Sequence, residues 1–509
     1  MTSTVEQEGV GLRSERGAVL MALMAATALV ALDSTVLATV VPTIVREVGG
    51  FSQFPWLFSI YLLTSAVTTP LYGRLADTFG RRPVLFWGIV VFLAASVLCA
   101  VAPSMAVLVA GRALQGLGAG AIQPVSLTVV GDLYSVAERA RVQGYLASVW
   151  GMSAVVGPAL GGVLAQYASW RWIFVLNLPV GALAFWLLAR HFGERLERRS
   201  HAMDYAGSAL LVVGWSLVIL GLLEGGVAWA WGSAVGIGVL AGGVAALAAF
   251  VVVEQRAAEP VVPLWVFRRR LLVGSALTQV GVGALLIGLD SYVPVYAQGV
   301  LGAGAVAAGF ALATMTIGWP LAATFSGRLY LRIGFRDTSL LGGAVLVAST
   351  GLGVLLSASS SLWAVAGVCF LAGVGLGLVA SPTIVAVQSF VGWEERGLVT
   401  GTAMFSRSLG SAVGVAVFGA LVTATTTGRF ASAPASVRDR LPQSADAAGL
   451  ALRPGAAADV VAYVRQALAA ASHTVFVALA VVSVATVASL LLMPRRSAAL
   501  SSDGGPEAG

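Results

Sequence analysis

Two carboxylates lie within long apolar stretches of this sequence, where an ionised side chain is costly. Asp33 and Asp290 share the local sequence Leu-Asp-Ser and are 257 residues apart. A carboxylate at the centre of a membrane helix costs roughly 2.5–3.5 kcal/mol on insertion scales, and such groups typically bind ions, protons or substrates. The two residues therefore predict a protein that moves protons or charged molecules through a membrane.

Two arginines, Arg112 and Arg407, also lie within apolar stretches. A guanidinium keeps its charge in proteins, so each must pair with an acceptor or line a water-filled cavity. We expect Arg112 to pair with Asp33 and to control proton binding there. A static ion pair that holds two helices together is the alternative. Arg407 either pairs with Asp290 or extends from a helix end to the membrane surface.

The same offset of 257 residues recurs along the chain, which indicates an internal duplication. It relates Asp33 to Asp290, and it relates Arg112 to Cys369, so this arginine is present in one copy only. Parallel repeats in transporters place the binding site at the interface of the two copies, near the middle of the membrane. Other matched pairs are Gly116 and Gly373, Gly118 and Gly375, Gly120 and Gly377, Glu138 and Glu395, Arg139 and Arg396, and Gly144 and Gly401.

Composition excludes several classes of protein. Of 509 residues, 58% are hydrophobic and only 10% are charged, against about 25% charged in soluble domains. All 30 basic residues are arginines, and most lie between apolar stretches, so the net charge of +7 does not indicate nucleic-acid binding. The two cysteines lie in apolar stretches and the three histidines lack metal-ligand spacing. We expect no metal and no cofactor, with a proton gradient as the energy source.

An all-α integral membrane protein is expected, because lipid cannot satisfy exposed backbone groups and about 20 apolar residues cross a bilayer as a helix. By this rule the sequence predicts fourteen spans. They lie near residues 18–41, 55–75, 84–102, 105–131, 142–166, 171–190, 204–223, 229–253, 271–298, 304–327, 338–357, 362–390, 398–424 and 472–493.

The arginines predict the orientation of these spans. Twenty-one of the thirty fall in segments that this topology assigns to the cytoplasm, and the short outer loops hold only Arg46 and Arg171. Positive residues favour the cytoplasmic side, so both termini are predicted to be cytoplasmic, in the inner or plasma membrane. The first apolar run is too long for a signal peptide and is expected to stay as a span.

The duplication and the spans together predict the domain organisation. Two six-helix halves, 18–190 and 271–494, flank an inserted two-helix hairpin at 204–253. Cytoplasmic tails are expected at 1–17 and 495–509. An outer segment at 425–470 carries three prolines and several polar residues, and is either a solvated linker or a structured cap over the outer opening. Its end, Val460 to Ala470, could be an amphipathic helix that leads into the last span.

A short loop between the second and third spans carries a candidate conformational switch. Its residues Gly73, Asp77, Gly80, Arg81 and Arg82 combine flexible backbone with both signs of charge. Glycines permit a tight turn and close helix contact. Charge-assisted bonds among Asp77 and the arginines can hold one conformation and break in another.

The fifth span carries Gly157, Pro158, Gly161 and Gly162. Small residues let helices pack closely and proline bends a helix, so this span is a candidate gate; generic membrane packing is the alternative. The residues expected to line a substrate cavity besides the charged ones are Gln115, Trp150 and Tyr292.

These motifs resemble the major facilitator superfamily, in particular its fourteen-helix drug:proton antiporter branch, over residues 18–494. The segment Gly73 to Pro83 resembles the family's loop motif between helices 2 and 3. Arg112 with Gln115 and Gly116 resembles the helix-4 motif linked to proton coupling. The other matching segments are Gly157 to Gly162, which resembles the antiporter motif, Leu32 to Val36 with Pro42, and Trp170 to Phe174 with Asn177 and Pro179.

The chain departs from this pattern at Ala38, where many members carry asparagine. Asp290 matches no motif of the family and depends on the repeat alone. The resemblance implies a bundle of two six-helix halves plus a two-helix insertion that exports small molecules in exchange for protons.

The predicted function is proton-driven export of drugs or other amphipathic molecules, with cations favoured by the two carboxylates. The predicted partners are a small-molecule substrate, protons and the lipid bilayer, with a monomer as the simplest state. Three alternatives stay open. The protein could export one endogenous metabolite or lipid; it could be a membrane enzyme, although no set of catalytic residues is present; or it could be a sensor, although these usually carry a soluble domain.

Overall fold

The computed structural model describes residues 11, 14–48, 56–194, 204–225, 228–257, 264–438, 441 and 457–495. These residues are almost entirely helical, and the only strand-like pairing among them is a single bridge between Gly225 and Trp229. The all-helical prediction is confirmed. Most of both predicted tails, part of the loop before the hairpin, and much of the outer segment lie outside the described residues.

The helices follow one another with short connections. They are α1 Gly17–Val48, α2 Trp56–Phe79, α3 Arg81–Ala100, α4 Met105–Leu133, α5 Val136–Tyr167, α6 Trp172–Val175, α7 Asn177–His191, α8 Tyr205–Glu224, α9 Ala234–Glu254, α10 Arg270–Val295, α11 Ala305–Ile333, α12 Phe335–Val354, α13 Leu362–Phe390, α14 Arg396–Ala431, α15 Ala435–Arg438 and α16 Ala458–Leu490. Short 3-10 helices lie at Leu264–Arg268 and Trp393–Glu395, and a π-helical turn lies at Tyr296–Val300.

Twelve helical segments in the described residues are long and apolar enough to cross a membrane, with α6 and α7 forming one of them. The two predicted spans not among these twelve are α2 and α8. Helix α2 has the required length but is rich in serine and threonine. In α8, the apolar stretch Ala206–Leu222 is slightly shorter than the twelve segments that qualify.

The duplication is visible in the helix boundaries. Helices α4 and α13 each contain 29 residues, and they begin and end at positions separated by the repeat offset. Each packs along the preceding helix, α4 against α3 and α13 against α12. A side chain at Gly118 would clash with the α3 backbone, and one at Gly375 would clash with the α12 backbone. The repeated glycines therefore permit the close helix packing that both copies share.

Helices α1–α7 pack into one group and α10–α16 into another, each with its own buried apolar core. Two seams join the groups, one between α5 and α11 and the other between α2 and α14. The hairpin lies at the second seam, where α8 packs on both α2 and α14, while α9 packs on α8.

The outer segment predicted at 425–470 is helical at both ends, and the helix expected at Val460 to Ala470 forms the start of α16. Helix α14 continues to Ala431, and α16 begins at Ala458, well before the predicted span at 472–493. Alanine is the strongest helix former and is frequent at the start of α16, so this helix extends beyond its most apolar residues. Val460, Val464 and Leu468 are buried against the core of the second group.

Two glycines hold equivalent sharp turns. Gly80 precedes α3 with φ 97° and ψ 157°, and Gly334 precedes α12 with φ 89° and ψ 164°. This region of backbone conformation is open essentially to glycine alone. The turns therefore require these residues, whatever space surrounds them.

Gly334→Ala is expected to lower the melting temperature of the purified protein, because other residues in this conformation cost about 1–3 kcal/mol. Differential scanning fluorimetry in detergent measures the change. Gly351→Ala is the matched control, since its added methyl group meets open space within α12. Equal melting temperatures for the two variants would contradict the prediction.

Candidate functional site

A buried ion pair occupies the interior of the first helix group. An Nη1 hydrogen of Arg112 in α4 is donated to Oδ2 of Asp33 in α1, with 2.5 Å between the heavy atoms. The exposed fraction is 5% for Asp33 and 1% for Arg112. The predicted partners therefore meet, and neither side chain faces lipid.

Neutral side chains satisfy the second carboxylate oxygen. Oδ1 of Asp33 accepts from the amide nitrogens of Gln115, at 3.2 Å, and Asn177, at 3.0 Å. Both amides also donate to the Ser96 hydroxyl, at 2.8 and 3.2 Å. The carboxylate is thus bound by groups from α4 and α7, with Ser96 of α3 behind them.

Arg112 makes further hydrogen bonds and a contact with an aromatic ring. Its Nε donates to the Leu57 carbonyl at 3.0 Å, Nη1 also donates to Gln115 Oε1 at 2.7 Å, and the guanidinium lies 4.2 Å from the Tyr61 ring centre. Acceptors and an aromatic face together lower the cost of burying this cation. Five helices, α1 to α4 and α7, therefore meet at one carboxylate.

Asp290 has a different environment from its repeat partner. Its side chain is exposed, and the described residues offer its carboxylate no hydrogen bond or ion pair. It is close enough to Cys369 of α13, a fully buried residue, to act on it electrostatically. Asp290 therefore lies on the α13 side of α10 and faces accessible space.

Arg407 does not pair with Asp290. From α14 its Nε and Nη2 donate to Oε1 of Gln279 in α10, at 3.0 and 2.8 Å. Gln279 in turn donates to the Thr383 hydroxyl at 3.1 Å. Neither of the two predicted arrangements of Arg407 is observed, because a neutral amide within the bundle serves as its acceptor.

The two helix groups are joined by polar contacts at one end of the bundle, where α2, α4 and α13 end; we call this the interlocked end. Here the carboxylate of Asp77 accepts hydrogen bonds from the backbone nitrogens of Gly397, at 2.9 Å, and Leu398, at 2.7 Å. These nitrogens belong to the first turn of α14, whose N–H groups have no acceptor within the helix. A side chain of α2 thus caps a helix of the other group.

Asp132, at the end of α4, extends this contact. It accepts from Arg81 at 2.9 Å and from Arg396 at 3.0 Å, and so bridges the two groups. Arg81 also pairs with Asp77 at 2.9 Å. Its guanidinium stacks 3.7 Å from the ring centre of Trp393 and donates to the Trp393 carbonyl.

Further hydrogen bonds join the groups at the same end. Arg139 donates to the Ser389 hydroxyl, Gln388 donates to the Leu127 carbonyl, and Tyr330 donates to the Val136 carbonyl. The polar contacts described between the two groups all lie at this end. The structure therefore represents a state that is closed here.

Glycines allow the helices to approach at the seams. A side chain at Gly73 would clash with the Gly397 carbonyl, so α2 and α14 cross with their backbones in contact. In α5, Gly157 packs against Thr35 of α1, two residues after Asp33, whereas Gly162 faces open space.

The remaining predicted residues are distributed as follows. Gly161 is buried, and the side chain of Pro158 lies outside the described residues. In the part of the chain that the structure describes, Arg82 contacts its own group, donating to the Ala189 carbonyl. Trp150 is 36% exposed and Tyr292 is half-buried, whereas Gln115 is fully buried in the Asp33 network and does not line open space.

Several residues of these clusters were not among the predicted sites. Asn177 was noted only as part of a motif, and Ser96 and Gln279 are neutral residues in apolar helices, without a charge to mark them. Asp132 and Trp393 lie near helix ends, where polar residues are common. The residues 257 positions away from them in the other copy are of different types, so the internal repeat did not mark them either.

The comparisons with known proteins identify the family. The model described as Major Facilitator Superfamily matches residues 23–415. The chain belongs to the major facilitator superfamily. It is a multi-pass membrane transporter and not an enzyme.

Related members of the superfamily carry names that refer to multidrug transport, to drug resistance or to a biosynthesis cluster. The chain is 33% identical to "Multidrug transporter protein MdtP" of Bacillus subtilis (strain 168), over 86% of this chain and 80% of the relative. It is 31% identical to "Multidrug resistance protein 3" of the same strain, over 81% and 80%. It is also 31% identical to the "Acurin A biosynthesis cluster MFS-type transporter" of Aspergillus aculeatus, over 78% and 74%.

A solved structure shares the fold. The human organic anion transporter MFSD10 superposes with a TM-score of 0.61 at 16% identity, covering 94% of this chain and 99% of its own. At this identity the likeness concerns the superfamily fold alone.

Arg112→Met is expected to lower the melting temperature strongly, because breaking a buried ion pair from one side costs about 3–5 kcal/mol. Adding Asp33→Asn to that variant should restore much of the loss, since the buried charge is then removed. Arg171→Met is the control, because its ion pair with Glu47 is well exposed and such pairs contribute at most about 1 kcal/mol. Additive losses from the two buried substitutions would argue against the pair.

Asp77→Asn is expected to loosen the interlocked end, because one carboxylate oxygen that accepts from α14 becomes an amide. Charge-assisted hydrogen bonds contribute roughly 1.5–3 kcal/mol, so an Ala66→Cys reporter on α2, at a position buried in an apolar cluster with Phe405 of α14, should react with maleimide about tenfold faster. Asp337→Asn is the control, since Asp337 follows the equivalent turn and makes only a long contact of 3.8 Å with Arg495. Equal rates in both backgrounds would refute a role for Asp77 in closure.

Proposed function

We propose that this protein is a proton-driven antiporter that exports drugs or other amphipathic small molecules by alternating access. The names of its relatives in Bacillus subtilis support drug efflux. The observation that carries the proton-coupled part of the proposal is the buried network around Asp33 and Arg112.

The network supports proton coupling because a proton can neutralise the Asp33 carboxylate, which is the counter-ion of Arg112. Protonation of Asp33 removes the carboxylate charge that holds the Arg112 guanidinium, which then has to rearrange or find another acceptor. Since Asp33 bonds to α4 and α7, and lies two residues before the contact of α1 with Gly157, one proton alters the packing of several helices. A proton bound on one side of the membrane thus favours the other conformation.

We propose that the interlocked end is cytoplasmic and that both termini lie on that side, in the inner or plasma membrane. The concentration of arginines in the connections on that side supports this orientation. The structure then corresponds to an outward-facing state, in which Asp290 is exposed to the outer side. Loss of the Asp77 and Asp132 contacts would accompany the inward-facing state.

We also propose that α2 and α8 cross the membrane, which gives the fourteen-helix arrangement of the drug:proton antiporter branch. Helix α2 is 24 residues long and α8 is 20 residues long, and about 20 residues suffice to cross the hydrocarbon. Both pack lengthwise within the bundle, α2 against α4 and α8 against α9. The hydroxyl groups of α2 bond to carbonyls of their own helix, as Thr68 does to Thr64.

Export of one endogenous metabolite is the alternative within the same mechanism. One relative is named as the transporter of a biosynthesis cluster, which supports a dedicated exporter. An exposed carboxylate at Asp290 favours a substrate with a cationic group in either case. We propose that the protein works as a monomer without a cofactor, with the proton gradient supplying the energy.

Asp33→Asn is expected to reduce proton-driven efflux at least about tenfold, because the amide cannot exchange a proton with the solvent. Purified protein in proteoliposomes with an imposed pH gradient and rhodamine 123 as substrate measures the rate. Glu47→Gln, an acidic residue exposed on the same helix, is the control and should transport at the wild-type rate. Unchanged efflux in Asp33→Asn, or wild-type efflux that an uncoupler does not affect, would refute the mechanism.

A further inference from the structure

Arg407 is a membrane-embedded cation whose charge the described residues do not neutralise. Its guanidinium is half-buried, and within the described part of the chain its contacts are Gln279 and the ring of Trp319, whose centre is 5.7 Å away. A neutral amide oxygen fixes the orientation of the guanidinium but leaves its charge uncompensated. Such a charge in a transporter bundle is expected to face water or a ligand.

The geometry leaves donors available for that ligand. A guanidinium carries five N–H groups, of which Nε and one of Nη2 are used on Gln279. The other three have no acceptor among the described residues. A planar fork of this kind matches the two oxygens of a carboxylate.

Arg407 and Trp319 lie on the two helices of the second group that form the seams. Helix α14, which carries Arg407, packs against α2 of the other group, and Trp319 belongs to α11, which packs against α5. The repeat counterpart of Arg407 is Trp150 of α5, an exposed aromatic residue. Arg407 also follows the interlocked start of α14 by about 16 Å of helix, so it lies beyond the contacts that close that end.

We propose that Arg407, oriented by Gln279 and flanked by Trp319, binds a carboxylate group of the transported molecule. This rests on the proposed transport function and specifies its substrate class. Gln279 precedes Asp290 by eleven residues on α10, about 16 Å of helix rise. Asp290 and Arg407, the two charges within apolar helices of the second group that have no counter-ion in the described residues, are therefore well separated. They suit an amphipathic zwitterion whose cationic end lies nearer Asp290.

The test compares two dyes that differ in one group. Rhodamine 110 carries a free carboxylate beside its cationic ring system, and rhodamine 123 is its methyl ester. Fluorescence anisotropy measures equilibrium binding of each to the full-length protein in nanodiscs, without a proton gradient. In Arg407→Gln, rhodamine 110 should bind about tenfold more weakly and rhodamine 123 less than twofold more weakly.

Two further variants separate recognition from folding. Arg407→Lys keeps the charge without the fork and should recover part of the affinity for rhodamine 110. Arg332→Gln removes an exposed arginine of α11 and should change neither affinity. Equal weakening of both dyes in Arg407→Gln, or no measurable binding of rhodamine 110 to the wild type, overturns the proposal.

The binding measurement is independent of the efflux measurement. Binding of rhodamine 110 that depends on Arg407, together with efflux that an uncoupler does not affect, would refute proton coupling and leave the carboxylate site intact. Proton-driven efflux of rhodamine 123, without selective loss of rhodamine 110 binding in Arg407→Gln, would refute the carboxylate site and leave proton coupling intact.

Discussion

The cost of placing charge inside an apolar helical bundle governs this structure. In the first group Asp33 and Arg112 neutralise each other, and the amides of Gln115 and Asn177 satisfy the carboxylate oxygen that the arginine leaves free. In the second group Asp290 and Arg407 are apart, and neither has a counter-ion among the described residues. The two copies therefore share their helices but differ in electrostatics. One copy holds a neutralised ion pair, and the other holds two charges without counter-ions in the described residues.

Closure between the groups depends on polar contacts and close backbone approach. The start of any helix has N–H groups without acceptors, and Asp77 satisfies two of those of α14 from the opposite group. Gly73 and Gly397 bring the two backbones together there. Hydrogen bonds and ion pairs can exchange with water when the groups separate, whereas separation of the apolar cluster between α2 and α14 exposes buried surface and costs free energy.

Much of this could be predicted from the sequence, for physical reasons that differ between residues. Arg112 needed an anionic partner, and Asp33 was the carboxylate in an apolar stretch of the same half, so their pairing followed from the cost of burying each charge. The acceptor of Arg407 was missed because a glutamine in an apolar helix costs far less to bury than an ion and stands out less. The helix at Val460 to Ala470 could be predicted from its amphipathic pattern, but hydropathy alone placed the last span at 472–493, because helix formation continues in alanine-rich sequence outside the most apolar residues. The exposure of Asp290 and its lack of a counter-ion in the described residues could not be predicted, since they depend on the rotation of α10 within the bundle.

The inserted hairpin covers one of the two seams and leaves the other without such a cover. Helix α8 packs on α2 and α14, whereas in the described residues no additional helix pair shields α5 and α11. In the proposed alternating access the groups tilt, so that one flank slides against protein and the other against acyl chains. The mechanical resistance to tilting is then unequal on the two sides, so the bilayer's stiffness and thickness act on this protein mainly through a single flank.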